Sequence, residues 1–249
     1  MSGVRVYKVG GPALEDSGLV RPLAEEVRRA GGEVLLVHGG GRMIEKLLKA
    51  LAIESRFVNG RRVTSPEAME VVEMVLSGLV NKELAAGLTR HGVRAVGISG
   101  RDGDTIRVRM EPDLGRVGLP DRVSTDLVQA LWRSGIVPVV SPVSNGAEGE
   151  AVNVNADEAA LGLARALHAG SLVYLSDVDG VRIGGQTVES LSAEQAARGI
   201  EDGSITGGMA LKVQVALDGV RSGIGEVVIA GKARLLGQFP GTRVVGGTS

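Results

Sequence analysis

The sequence predicts an α/β fold in which a mainly parallel sheet lies between layers of helices. Short apolar runs of strand length alternate with longer amphipathic runs of helical length along most of the chain. Glycine clusters follow several of the apolar runs, where a strand must turn into the next helix. Glycine makes up 38 of the 249 residues, about twice its average share of roughly 7%.

The first half of the chain begins with two strand, glycine turn and helix units. We predict strands over 4–9 and 33–37 and helices over 19–30 and 43–51. A hairpin is expected over 57–63, because Asn59-Gly60 is a favoured tight-turn pair. Pro66 then opens a long helix, since apolar residues recur at spacings of three and four from Met69 to Leu88.

The second half continues the alternation. We predict strands over 93–98, 136–140, 172–175, 226–229 and 241–245, short polar β segments over 100–118, and helices over 123–134, 158–168 and 209–222. One helix ends near 168–171, and we place a domain boundary there. The expected units are residues 1–169 and 170–249.

Composition excludes several classes of function. The chain has 28 basic and 29 acidic residues, two Phe, two Tyr and one Trp, so it lacks the basic surface and stacking residues of a nucleic-acid-binding protein. The absence of cysteine removes disulfides and thiolate chemistry. No apolar run reaches the length of a signal peptide core or of a membrane span of about 20 residues. We therefore expect a cytoplasmic protein with neither nucleic acid nor membrane as a partner.

Glycine clusters indicate where a ligand would bind. Clusters at 10–11, 39–41 and 207–208 follow strands or introduce helices, and such turns surround the ligand of a parallel α/β sheet. Glycine lets backbone N–H groups approach an anion there, although a single cluster is as well explained by a tight turn. The P-loop, dinucleotide-binding and protein-kinase motifs are absent. Any nucleotide site is therefore of another class.

Charged side chains next to these turns are candidates for chemistry. Lys8 lies in an apolar strand, where an unpaired lysine is costly, and Lys212 lies near the start of a helix. Two lysines can neutralise a phosphoryl group during its transfer. Asp157 stands at a helix start, where it either caps the helix or serves the site. Arg61 and Arg62 follow the hairpin turn, and one of them could bind a carboxylate bidentately.

A series of short segments resembles, in sequence and in order, the motifs of the amino-acid kinase family. They are Lys8-Val-Gly-Gly11, His38-Gly-Gly-Gly41, Asn59-Gly-Arg-Arg-Val-Thr64, Asn153-Val-Asn-Ala-Asp157, Ser176-Asp-Val-Asp-Gly-Val181, Gly207-Gly-Met-Ala-Leu-Lys212 and Gly241-Thr-Arg-Val244. Each segment alone is weak, and the ordered set spans essentially the whole chain.

The resemblance implies a three-layer αβα sandwich of the carbamate kinase-like type. Residues 1–169 would form a lobe for the amino-acid substrate and dimerisation, and residues 170–249 a lobe for ATP. By motif position, Lys8 and Lys212 are implied to stabilise the transition state, and Asp157 to orient both. Gly40, Gly41, Arg62 and Asn153 are implied to bind the substrate, with Arg62 on its α-carboxylate. The implied contacts of the phosphoryl group and nucleotide are Gly10, Gly11, Ser176, Asp177, Val178, Asp179, Gly180, Val181, Arg182, Ser204, Ile205, Thr206 and Gly208.

The implied activity is transfer of the γ-phosphoryl group of ATP to the side-chain carboxylate of N-acetyl-L-glutamate, a step of arginine biosynthesis. Mg²⁺ would be bound through the phosphates and not by a protein metal site. A carboxylate with an unperturbed pKa near 4.3 is ionised at neutral pH, so the reaction needs no general base. What it needs is positioning and cationic stabilisation. We expect Lys8 to serve the attacking side and the γ-phosphoryl group, and Lys212 the side of the leaving ADP.

The chain departs from the family pattern at a few positions. Arg61 replaces the more usual leucine, Ala210-Leu211 replaces Ile-Pro, and Arg42-Met43 replaces Pro-Gln. Arginine-inhibited members carry an additional N-terminal helix, whereas only seven residues precede Lys8. We therefore expect an arginine-insensitive homodimer.

Three alternatives remain open. A kinase for carrier-protein-linked aminoadipate or glutamate in lysine biosynthesis would share the fold and the lysines, but the short Asn-Gly-Arg-Arg turn and the sequence of 153–157 disfavour it. A non-catalytic anion- or nucleotide-binding member would have no need of a lysine on the leaving-group side. An unrelated doubly wound binding protein with purely structural glycines would not carry the ordered motifs.

Overall fold

The computed structural model describes residues 3–10, 14 and 17–246. The strands β1 to β16 are Arg5–Val9, Val34–His38, Arg56–Val58, Arg61–Val63, Ala95–Ser99, Ile106–Met110, Gly118–Val123, Val137–Ser141, Val143–Asn145, Ala151–Asn153, Ser171–Leu175, Arg182–Ile183, Gln186–Thr187, Ser190–Ser192, Glu226–Ala230 and Thr242–Val245. The α-helices α1 to α9 are Val20–Ala30, Gly41–Ala50, Pro66–Glu73, Asn81–Arg90, Asp126–Arg133, Ala156–Ala166, Ala193–Glu201, Gly207–Arg221 and Lys232–Leu235. A π-helix, Met74–Val80, joins α3 to α4, and short 3-10 helices cover Ser17–Leu19, Asp102–Asp104 and Pro112–Leu114.

Eight strands form the central sheet in the order β14-β16-β15-β11-β1-β2-β8-β5. Neighbouring strands are parallel except β15 and β16. β1 lies between β2 and β11, with Lys8 opposite Val37 and Tyr174. The sheet therefore runs without a break across the predicted boundary at residues 169 and 170.

The two faces of the sheet are both buried, because its side chains alternate between two apolar clusters. On one face Val6 and Leu172 pack with residues of α6 and α8. On the other face Tyr7 and Val173 pack with residues of α1 and α4. Helices therefore cover both faces, and the predicted αβα sandwich with a mainly parallel sheet is confirmed.

A second, four-stranded sheet has the order β10-β9-β6-β7. The short β segments predicted over 100–118 include β6 and reach the start of β7, whereas β9 and β10 were not predicted. The hairpin of β3 and β4 forms a separate two-stranded sheet. Isolated bridges join Thr64 to Gly115 and Val117 to Asn153. The hairpin is thus connected to the second sheet through the residue that follows β4.

Several predicted boundaries were wrong for local reasons. The helix expected from Val123 begins at Asp126, because Val123 still pairs with Ile106 in the second sheet. The long helix after Pro66 contains the unpredicted π-helix Met74–Val80. Helix α7 was missed, although Ser192 and Gln195 form a capping box at its start.

Candidate active site

The carboxyl ends of three adjacent parallel strands form the base of the candidate site. β1 ends at Val9, β2 at His38 and β11 at Leu175. A cavity of about 160 Å³ opens there, and the residues that line it include Lys8, Gly40, Gly41, Arg62, Asn153 and Asp157. Predicted substrate and phosphoryl residues from distant parts of the chain therefore meet at one place.

A buried carboxylate between two lysines borders this cavity, which Lys8 and Asp157 line. Lys8 Nζ is 2.9 Å from Asp157 Oδ1, and Lys212 Nζ is 2.8 Å from Asp157 Oδ2. The side chains of Lys8, Asp157 and Lys212 are only 11, 9 and 8% exposed. One carboxylate thus compensates two ammonium groups, and the centre retains one positive charge with which to attract an anion.

Each member of this centre is placed by its own element. Lys8 lies on the face of β1 that also carries Val6, and α6 covers that face. Asn155 caps α6, since its side chain accepts a hydrogen bond from Asp157 N at 2.8 Å. The open choice for Asp157 is therefore resolved: Asn155 supplies the cap, and the Asp157 carboxylate is directed at the lysines. Lys212 lies in the second turn of α8.

The electrostatics of the centre favour a charged carboxylate. Burial alone would raise the pKa of Asp157, but the charges of Lys8 and Lys212 outweigh it and hold that pKa well below its usual range. Burial lowers the pKa of Lys212, and the charge of Asp157 opposes that effect. The nearby Tyr174 ring lies 5.7 Å from Lys212 Nζ, within the range of a cation–π contact.

The glycine turn after β2 is shaped by the π-helix behind it. A Cβ at Gly40 would come within 2.7 Å of Leu76 Cδ2 and 3.3 Å of Val80 Cγ2, so the backbone approaches this helix more closely than any other residue would permit. His38 Nδ1 donates to Gly39 O at 2.8 Å, and its Nε2 accepts from Asn81 Nδ2 at 3.1 Å. Burial lowers the pKa of His38 to about 4, so at neutral pH it is an uncharged support of the turn.

The predicted substrate residues line the opposite wall. Arg62 Nη1 lies 2.6 Å from Glu45 Oε2 and also contacts Ser55 Oγ, and Arg62 Nη2 donates to Gly41 O at 3.2 Å. Asn153 Nδ2 donates to Thr64 Oγ1 at 3.1 Å. Arg62 is buried, and its guanidinium is paired with the Glu45 carboxylate.

The predicted phosphoryl and nucleotide residues fall into two groups. Ser176, Asp177, Val178, Asp179, Gly180, Val181 and Arg182 follow β11, whereas Ser204, Ile205, Thr206 and Gly208 precede or begin α8. The side chains of Val181 and Ile205 pack in the core, so only their main-chain atoms remain for a ligand. Gly10 N already donates to Leu175 O at 2.9 Å. Gly11 lies outside the described residues.

Sequence reasoning missed an ion pair next to the centre. Arg61 Nε lies 3.1 and 3.2 Å from the two carboxylate oxygens of Glu158, and Arg61 Nη2 also contacts Oε1. An arginine of the hairpin was expected to bind a carboxylate, but the partner is the residue that follows Asp157. The signal in the sequence that could have indicated this ion pair was the glutamate in the first turn of α6.

Within residues 3–10, 14 and 17–246, no group of three or more His, Asp or Glu residues could hold a metal ion. Of the helices in that part of the chain, none is long and apolar enough to cross a membrane.

Known proteins of one family match this chain over most of its length. Residues 3–231 match the amino acid kinase family. An acetylglutamate kinase from Ruegeria pomeroyi is 45% identical over 229 residues, which are 90% of this chain and 80% of that protein. An acetylglutamate kinase from Rubrobacter xylanophilus is 43% identical over 241 residues, 96% of this chain and 94% of that protein.

Solved structures share the fold. A crystal structure from Streptococcus mutans UA159, smu.665, superimposes with a TM-score of 0.88 at 28% identity and covers 98% of this chain and 99% of that chain. A carbamate kinase from Giardia lamblia bound to AMP-PNP gives a TM-score of 0.69 at 17% identity, with 98% of this chain and 99% of that chain covered. The second likeness bears on the fold alone.

Proposed function

The chain belongs to the amino acid kinase family, and from that membership we propose that it phosphorylates the side-chain carboxylate of N-acetyl-L-glutamate with ATP. The product would be N-acetyl-L-glutamyl 5-phosphate, an intermediate of arginine biosynthesis. The observation that carries the proposal is the buried centre of Lys8, Asp157 and Lys212 at the carboxyl edge of the sheet. The substrate names of the relatives described above support the choice of acceptor.

Phosphoryl transfer between these reactants is limited by charge. The attacking carboxylate, the γ-phosphoryl group and the leaving ADP are all negative, and the carboxylate needs no base because it is ionised at neutral pH. Lys8 would lie on the attacking side and hold the γ-phosphoryl group. Lys212 would take up the charge that develops on the ADP side. Asp157 would keep both ammonium groups directed at the transferred group.

The substrate would be held by the opposite wall of the cavity. Arg62 would bind its α-carboxylate, in the place where the Glu45 carboxylate now contacts Nη1. Asn153 and the backbone of Gly40 and Gly41 would complete this subsite. A fixed carboxylate at one end of the substrate directs the side-chain carboxylate at its other end toward Lys8.

ATP would bind over the start of α8 and the segment after β11. No side chain caps the N-terminus of α8, and the backbone N–H groups at an uncapped helix start suit phosphate oxygens. Mg²⁺ would neutralise phosphate charge when it is bound through the phosphates. We assign residues 170–249 to this nucleotide lobe and residues 1–169 to the substrate lobe.

The same proposal includes a homodimer in the cytoplasm, the compartment that supplies ATP. Large apolar side chains are exposed on the substrate lobe at Leu51, Phe57, Met74 and Leu79, and a second copy would cover such a surface. Light scattering coupled to size-exclusion chromatography tests this state, and a monomer at micromolar concentration would refute it.

Hydroxamate trapping of the acyl phosphate tests the reaction. Purified protein with ATP and Mg²⁺ is offered N-acetyl-L-glutamate, glutamate or aspartate in separate reactions. We expect hydroxamate from N-acetyl-L-glutamate only. Turnover with none of the three would refute a free amino-acid substrate and favour the carrier-linked alternative.

A further inference from the structure

The β3–β4 hairpin carries Arg62 of the cavity and also contacts residues next to Asp157 and Lys212. The hairpin is a two-stranded sheet, and the side chains of β3 are exposed. The hairpin therefore depends on a few side-chain contacts for its position. Two of those contacts, made by Arg61 and Gly60, fall one residue away from members of the centre.

The first contact is the ion pair between Arg61 and Glu158. Arg61 holds both carboxylate oxygens of Glu158, in the bidentate geometry that fixes direction as well as distance. The Glu158 side chain is only 10% exposed. Asp157 and Glu158 are neighbours in the first turn of α6, so one side chain points to the lysines while the next points to the hairpin.

The second contact is made by the turn of the hairpin. Gly60 has a φ of +79°, and a Cβ there would lie 2.9 Å from Leu211 Cδ2. Leu211 immediately precedes Lys212 in α8. The turn is thus packed directly on the residue before the second lysine.

These contacts link the hairpin to the carboxylate and to one lysine of the centre. Arg61 and Leu211 are also two of the positions at which the chain departs from the pattern of its family. Arg61 lies on β4 and Leu211 on α8, and Gly60, the neighbour of Arg61, packs on Leu211.

We propose that Arg61 is a positioning residue for phosphoryl transfer: through Glu158 it fixes the start of α6 and hence the Asp157 carboxylate between the two lysines. This inference rests on the proposed kinase function. Arg61 lines the cavity, but its guanidinium is paired with the Glu158 carboxylate. We therefore expect its loss to change the alignment of the centre and not the net charge offered to the substrate. A displacement of about 1 Å in such a centre costs on the order of 100-fold in rate.

Kinetic analysis of three variants tests this inference. In Arg61→Leu, Glu158 is left as a buried charge without its partner, so both stability and kcat should fall, with kcat lower by about 10- to 100-fold. In the double variant Arg61→Leu/Glu158→Gln the unpaired charge is gone, so stability should recover while kcat stays low. KM for both substrates should change by less than about threefold. Arg56→Leu, an exposed arginine on the same hairpin, is the matched control and should behave like the unaltered protein.

Two kinetic outcomes would overturn the inference. If the double variant recovered both kcat and stability, the Arg61–Glu158 pair would serve only to balance a buried charge. A rise in KM for N-acetyl-L-glutamate at unchanged kcat would place Arg61 on the substrate itself.

Hydrogen exchange provides a readout that needs no substrate. In Arg61→Leu, amides of 56–63 and also of 156–160 should exchange faster than in the unaltered protein or in Arg56→Leu. A change confined to 56–63 would contradict a link between the hairpin and α6. If the unaltered protein forms no hydroxamate, the proposed function fails, and this exchange experiment still decides whether the hairpin positions the centre.

Discussion

Replacing Asp157 by asparagine removes the charge that compensates two buried lysines. Asparagine has nearly the same shape, so packing is preserved and the effect is electrostatic. Both Asp157 oxygens lie within 2.9 Å of an ammonium nitrogen, and breaking a buried ion pair by removal of one partner typically costs about 3–5 kcal/mol. We therefore expect the free energy of unfolding of Asp157→Asn to fall by about 3–5 kcal/mol at pH 7.

Urea unfolding followed by tryptophan fluorescence measures this loss. The single tryptophan, Trp132, donates from Nε1 to Val34 O at 2.8 Å, so its emission reports the attachment of α5 to β2. With a slope near 3 kcal/mol/M, the midpoint should move down by about 1–2 M. The exposed Asp121 on β7 supplies the control, and Asp121→Asn should leave the midpoint unchanged.

The pH dependence of this difference separates charge from packing. The pKa of Asp157 is lowered on folding, so its contribution is complete above the unfolded value near 3.9 and is lost as pH falls through the lower folded value. In the variant, burial still lowers the pKa of Lys212, and the charge of Asp157 no longer opposes that effect. The penalty therefore diminishes as pH rises and Lys212 loses its proton. The difference between the two proteins should therefore be largest near neutral pH. A difference that is independent of pH from 3 to 10, or a variant as stable as the original at pH 7, would refute this electrostatic account.

Three further predictions concern the lysines and the glycine turn. Lys8→Ala and Lys212→Ala should each lower kcat by about 100- to 1000-fold in the hydroxamate assay. Lys49→Ala, on the exposed face of α2, is the control and should leave kcat unchanged. An unchanged kcat in Lys8→Ala or Lys212→Ala would show that the replaced lysine takes no part in the chemistry. Gly40→Ala should lower the free energy of unfolding by about 1–3 kcal/mol because its Cβ would meet Leu76 and Val80. Gly41→Ala, with open space around its Cβ, is the control and should unfold at nearly the original urea concentration. The pKa of His38 falls on folding to about 4, so the free energy of unfolding should decrease by about 2 kcal/mol from pH 6.5 to 5. His38→Asn should lose this pH dependence. If the variant kept the pH dependence, another group would be its source.

The sequence was sufficient to predict the layers of the fold, and it named Lys8, Asp157 and Lys212, which the structure brings together. Strand and helix alternation is a local signal, and Lys8 in an apolar strand is costly enough to imply a partner. The partner of Arg61 could not be found in this way, since Glu158 lies far along the chain and both residues are ordinary surface types. The π-helix was also beyond prediction, because Met74–Val80 has the same apolar spacing as the α-helices on either side of it.

The Asn155 cap shows why helix starts were difficult to place. Asn155 and Asp157 are both residue types that cap helices, and only the structure shows which one accepts the backbone hydrogen bond. The motif also does not say which atoms of a predicted nucleotide-binding residue can reach a ligand, since the side chains of Val181 and Ile205 pack in the core.

The central position of β1 has a consequence for synthesis of the chain. β1 precedes both of its neighbours in the chain, and one of them, β11, is synthesised only at Ser171–Leu175. Until then, β1 can pair with β2 and still exposes an unsatisfied apolar edge, which is the kind of surface that joins to other chains. The nascent protein should therefore depend on chaperones or on slow synthesis between β2 and β11, and catalytic activity should appear only after α8 has left the ribosome and brought Lys212 to Asp157.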